Sequence, residues 1–153
     1  MATSFSTIYD RALSKMNEYS YADLNDEEIY DSMEPYLLSA EADFARLSAE
    51  PLEAYESVDE DGTVVDSGYT ADLSNEAIEI LACGILYYWI TAYVADADKL
   101  RNALGTKDFS LFSPANLLTS IETVRRNLEM EYRGKMNLYS FLHGEIIRQN
   151  RRR

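Results

Sequence analysis

The stretch LSNEAIEILACGILYYWITAYVADADKLRNALG, residues 73–105, decides the fold. Its middle, residues 80–94, is the most apolar segment of the chain and holds the only tryptophan, Trp89, and the only cysteine, Cys83. Ser74 is placed to cap a helix. Behind it Ile78, Leu81, Ile85, Tyr88 or Trp89, and Ala92 share one helical stripe, while Ile80, Cys83, Leu86, Ile90 and Val94 form a second. A helix apolar nearly all round is buried on several sides, so this one is expected at the centre. The apolar run falls short of the ~20 residues that span a bilayer, and Tyr87, Tyr88, Thr91 and Tyr93 dilute it. It reads as a core helix rather than a membrane span. After Val94 the sequence turns polar, and a further helical stretch with Leu100, Ala103 and Leu104 ends at Gly105.

Outward from this centre the pattern stays helical. Toward the N-terminus, Ser4 or Ser6 can cap a short helix bearing Ile8, Ala12, Leu13 and Met16. Asn25 or Asp26 caps the next, with Asp26, Glu27 and Glu28 in the first turn, where the helix dipole favours negative charge. Ile29, Met33, Tyr36, Leu37, Ala40 and Phe44 repeat at helical spacing. Pro35 inside that repeat is expected to kink the helix or split it. Toward the C-terminus, Ser113-Pro114 is a clear helix start. Leu117, Leu118, Ile121, Val124, Leu128 and Tyr132 then run down one side, and Met136, Leu138, Tyr139 and Leu142 resume the apolar set. Glu122 and Arg126 are spaced for an i,i+4 pair. His143-Gly144 is expected to end this helix, the lone histidine serving as a terminal cap.

Residues 48–72 break the periodicity and are strongly acidic. Asp61-Gly62 signals a turn and Thr63-Val64-Val65 a short strand, so a β-hairpin or extended arm is expected near 58–71, with a disordered loop as the alternative. The DEDG run invites a calcium-loop reading. With Gly62 at loop position six, position one is Ser57 and position twelve is Gly68, where a bidentate glutamate is needed, so calcium binding is not expected. The fold class is thus mainly α: a small helical bundle around a central apolar helix at about 75–94. Residues 1–144 form one domain, followed by a basic C-terminal tail at 145–153.

Composition narrows function by exclusion. A chain of 153 residues with 46% hydrophobic and 27% charged content fits one ordinary globular domain. The net charge of −13 is uneven. Residues 1–75 carry 18 acidic against 3 basic side chains, and residues 76–153 carry 9 against 11. An acidic half repels phosphates, and it suits basic partner surfaces or copies joined acidic side to basic side; it is equally read as a solvated face. Twelve tyrosines against five phenylalanines suit subunit interfaces, or helix edges at a monomer surface. A single cysteine leaves no intramolecular disulfide and no cysteine-based zinc site, and Cys83 reads as a small buried hydrophobe. Asp10 and Arg11 interrupt the N-terminus before any apolar region, so no secretory signal is expected. No phosphate loop, dinucleotide fingerprint, zinc-protease motif or nucleophile elbow occurs, and neither catalytic, cofactor nor metal residues are assigned. Arg148, Arg151, Arg152 and Arg153 could touch nucleic acid, but four charges at a terminus read better as a disordered tail or a docking segment for an acidic neighbour.

Two blocks together carry a resemblance: NEAIEILACGILYYWI, and LRNALGTKDFSLFSPANLLTSIETVRRNLEMEYR. Their order resembles the head–tail connector, or adaptor, proteins of the tailed-bacteriophage neck. It covers residues 73–142, with a looser echo in NDEEIYDSMEPYLLSAEADF. The most specific part is Lys107-Asp108-Phe109 followed by Ser113-Pro114-Ala115-Asn116; residues 50–66 and the arginine-rich end fall outside it. The resemblance implies a non-enzymatic virion protein, made in the host cytoplasm, that assembles as a dodecameric ring beneath the portal protein. Such a ring extends the DNA channel, lets DNA pass only transiently, and offers a platform for a stopper or tail-terminator protein, with no membrane involved. Closed rings use heterologous interfaces, which an acidic half and a mildly basic half could supply. Candidate interface residues are Lys107, Asp108, Phe109 and Phe112 in the connector and Ile146, Ile147, Arg148, Arg151, Arg152 and Arg153 in the tail. The tail is expected to dock on the portal or a neighbour, and residues 50–66 to form an inter-subunit arm or lumen-facing loop. The competing readings are an acidic DNA mimic that inhibits a basic host enzyme, and a plain helical interaction module.

Overall fold

Local caps set the first long helix. In the computed structural model, which describes residues 1–15, 25–103 and 114–152, with side chains apart from 97–120 and 150, the short strand β1 (Thr3–Ser4) leads into α1 (Phe5–Leu13). Helix α2 (Asp26–Phe44) begins with a full capping box. The Glu28 N–H donates to Asn25 Oδ1 at 2.9 Å and the Asn25 N–H to the Glu28 carboxylate at 3.1 Å, which satisfies two otherwise orphaned donors. Ile29, Met33, Leu37, Ala40 and Phe44 are its buried face. Pro35 does not split it: the chain stays in one helix across that residue. Pro35 and Asp31, whose carbonyl loses its donor, are both exposed, so water can replace the missing bond.

The acidic segment after α2 is ordered as strands. A hairpin of β2 (Ala54–Val58) and β3 (Val64–Tyr69) is antiparallel, pairing Ala54 with Tyr69 and Val58 with Val64 across a bulge at Ser57/Val58. Its turn is closed by Asp59, whose Oδ1 accepts from the Asp61 and Thr63 N–H groups at 2.9 Å, while Gly62 takes the left-handed φ of +83°. Strand β1 adds to the other side of β3, Thr3 opposite Tyr69 and Ser4 opposite Gly68. A Cβ on Gly68 would overlap the Thr3 carbonyl and lie 2.8 Å from the Ser4 Cα, so only glycine admits this pairing. Buried Thr3 fixes it: its hydroxyl donates to the Ala71 carbonyl at 3.1 Å and accepts from the Leu73 N–H at 2.8 Å.

Helix α3 (Asn75–Ala103) is a single helix of 29 residues, not the two pieces expected on either side of residues 95–99. The Ser74 hydroxyl accepts from the Ala77 N–H at 3.3 Å as its cap. From Ala77 to Leu86 every residue but Glu79 is buried. Helix α3 packs against α1, α2 and α4 (Pro114–Leu142), which makes it the central element. Its first 22 residues are long and apolar enough to cross a membrane by length and composition, but these neighbours already cover its apolar half. Gly84 lets the three long helices meet. A Cβ there would collide with Ala40 of α2 and come within 3.1 Å of the Tyr132 ring of α4. On the outside of α4, Glu122 pairs with Arg125 at 2.6 Å and with Arg126 at 3.5 Å.

The tyrosines do not simply edge the surface. Tyr69, Tyr132 and Tyr139 lead the fully buried side chains by volume. Each hydroxyl reaches a carboxylate from the acidic half: Tyr69 donates to Glu41 at 2.8 Å, Tyr132 to Asp43 at 3.2 Å and Tyr139 to Glu50 at 3.4 Å. Tyr88 to Asp43, Tyr30 to Asp10 and Tyr55 to Asp66 repeat the pairing at the surface. Burial first, and then the Glu41 carboxylate, push the Tyr69 hydroxyl well above its ordinary value of 10; burial and Asp43 do the same for Tyr132. A folded-state pKa above the unfolded one contributes stability that is whole below pH 10 and lost as the pH rises beyond it. Tyr69→Phe is therefore expected to move the midpoint of alkaline unfolding, followed by far-ultraviolet circular dichroism, to higher pH. An unmoved midpoint would place the alkaline transition elsewhere.

Candidate interaction surfaces

The residues after His143 continue as α5 (Gly144–Asn150). The helical ladder barely breaks: the His143 N–H donates to the Tyr139 carbonyl at 2.9 Å and the Ile147 N–H to the His143 carbonyl at 3.1 Å. His143 stacks on Tyr139 with ring centres 4.3 Å apart, and its Nε2 lies 3.2 Å from Glu76 Oε2, tying the corner to the start of α3. Ile147 is buried, and Arg151 donates to the Arg46 carbonyl at 3.2 Å beyond the end of α2. Of the tail residues singled out by sequence, Ile147 is thus an anchor within the chain, whereas Ile146, Arg148, Arg151 and Arg152 face solvent. Lys107, Asp108, Phe109, Phe112 and Arg153 lie outside the described residues.

One apolar face was not legible as such. The buried side of α4 near its end is Tyr132, Met136 and Tyr139. Leu138 and Leu142, grouped with them by sequence, point the other way with Phe141, at 58%, 59% and 84% exposure. Spacing of i, i+3 and i+4 puts the three on one arc, and half-exposed Ile146 extends it across the corner. Val124 and Met130 are exposed further up the same helix, a correction for Val124. Large apolar side chains scattered singly over a surface are ordinary, whereas four close together on one arc make a candidate interaction surface.

A groove of about 680 Å³ opens on the acidic side of the molecule, between the hairpin and helices α1 and α2. Phe5, Tyr9, Tyr30, Val64 and Val65 give it apolar walls, and Glu27, Asp31, Glu34, Glu56 and Asp66 line it without a single basic residue. Asp66 is held in place by Tyr55 at 2.6 Å and Ser4 at 2.8 Å; these hydrogen bonds keep its carboxyl below the usual range.

The one cluster with metal-ligand chemistry among the described residues is Glu79, Cys83 and Glu131, whose ligand atoms lie within 4.8 Å of one another. Cations already occupy it. Lys15 contacts Glu79 directly, Arg11 reaches it at 3.3 Å, and Lys135 bridges Glu79 and Glu131 at 3.5 Å each. Burial pushes the Cys83 thiol up to about 11, so it is protonated at neutral pH and poorly suited as ligand or nucleophile. Burial raises the Glu79 carboxyl, and the neighbouring lysines more than reverse this, leaving it lowered. The arrangement is a local ion network joining α1, α3 and α4. Comparisons of the chain with protein-family models, curated proteins and solved structures find no match.

Proposed function

We propose that the chain is a structural protein of a tailed-phage virion: an adaptor subunit that rings the DNA channel between portal and tail and docks the neck or tail proteins. The observation that carries this reading is the uncovered apolar corner of Leu138, Phe141, Leu142 and Ile146, set beside exposed arginines. A subunit built for assembly leaves such a face for its neighbours, while a solitary enzyme would bury or lose it. The resemblance of residues 73–142 to connector proteins supplies the partner class.

The test mixes the purified chain with portal particles and examines the product by co-sedimentation and negative-stain electron microscopy. Ring density stacked on the portal is the expected result. A chain that ignores portal but binds a basic nuclease or polymerase tightly would overturn the proposal in favour of an acidic inhibitor, the reading that the acidic groove favours second.

A further inference from the structure

We infer that the apolar corner at α4–α5 is covered by a second copy of the same chain, which presents to it the acidic groove beside its hairpin. The inference rests on the adaptor reading for the closure of such contacts into a ring, and on the surfaces themselves for the contact. Leu138, Phe141, Leu142 and Ile146 are an exposed apolar face, and Phe141, the most exposed of them, is an aromatic anchor of the kind that dominates interface energetics. Arg148 and Arg152 flank that face in solvent and outnumber the one exposed carboxylate among them, Glu145. The groove carries the opposite sign: apolar walls at Phe5, Tyr30, Val64 and Val65, and a rim of carboxylates with no cation among its lining residues. Charge complementarity selects this pairing over the alternatives. A corner-to-corner dimer would bring arginines against arginines, and a groove-to-groove dimer would oppose carboxylates; both are penalised. Joining different patches on successive copies is a heterologous contact, which propagates until it closes.

The experiment uses the full chain in sedimentation velocity and native mass spectrometry. Phe141→Asp on the corner and the pair Glu27→Lys with Glu34→Lys on the groove all alter solvent-facing residues, so circular dichroism should match the parent. Each is expected to weaken self-association by about 100-fold. Mixing the two variants should give a 1:1 heterodimer that grows no further, because one sound corner then meets one sound groove. Adding Arg148→Glu and Arg152→Glu to the groove pair should restore assembly by swapping both signs. Assembly of either single-face variant at parental strength would overturn the interface while leaving the ring intact. A parent that stays monomeric at all concentrations would also overturn it, and portal binding by that monomer would show that the adaptor role survives without this contact.

Discussion

Gly84→Leu is expected to abolish the folded state or to reduce its stability by at least about 3 kcal/mol, a large share of the 5–15 kcal/mol a domain possesses. The site has no room even for a methyl group, because the added Cβ would meet Ala40 from α2 and the Tyr132 ring from α4 at once. A longer side chain must separate both helices from α3, exposing Phe44, Leu37 and Tyr139 along with them. Gly84→Ala separates two opposing effects. Helix propensity favours alanine by about 1 kcal/mol, whereas overpacking costs about 1–3 kcal/mol, so the variant should be the less stable one. The nearest obstacle is the methyl of Ala40, which gives a control: Ala40→Gly in the Gly84→Ala background should recover part of the loss. Urea unfolding of the four proteins of that cycle measures the coupling. If Gly84→Ala proves stabilising on its own, the three-helix contact is looser than described.

The second large effect is expected at Tyr139. Its ring is buried against Phe44, with centres 5.0 Å apart, and its hydroxyl accepts from the Ala49 N–H at 3.1 Å. Truncation to alanine should cost about 3–5 kcal/mol, the range for a buried aromatic, while Tyr139→Phe should cost only about 1 kcal/mol for the lost hydrogen bonds. Tyr139 also supports His143 and hence the turn into α5. Tyr139→Ala is therefore expected to loosen the apolar corner, visible as faster amide hydrogen exchange over residues 138–152 than over α2. Uniform acceleration throughout the molecule would mean that the corner has no local stability of its own.

The parts of this fold that sequence made legible are those governed by local rules. The start of α2 at Asn25 or Asp26, the Ser74 cap, and Asp61-Gly62 each act within a few residues, and the all-round apolar character of residues 77–86 dictates burial whatever the neighbours. What escaped was set by distant partners. Thr3 and Ser4 are a strand only because Gly68 admits them, and two residues carry no strand pattern of their own. On α4, leucines and tyrosines lie on more than one face, and hydropathy favours leucine for the core. The tyrosines Tyr132 and Tyr139 took it instead, with Asp43 and Glu50 in reach of their hydroxyls. The acidic excess thus serves partly as a set of acceptors for aromatic side chains, a use that charge counting cannot reveal. The apolar corner, the strongest interaction feature, emerged only once Leu138 and Leu142 were seen to face away from the core.

The pairing of β1 with β3 also sets a schedule. Thr3 leaves the ribosome early, yet its strand partner Tyr69 lies 66 residues later, with Ala71 and Leu73, which its hydroxyl binds, later still. At about 5–20 residues per second, the first strand waits roughly 3–13 s for its neighbour to be made. During that interval α1 has neither its sheet nor α3 to cover Ile8 and Ala12. Strand β1 can then pair only after β3 has been made, and the time taken to translate the hairpin and α3 bears on how long those side chains stand open to chaperones.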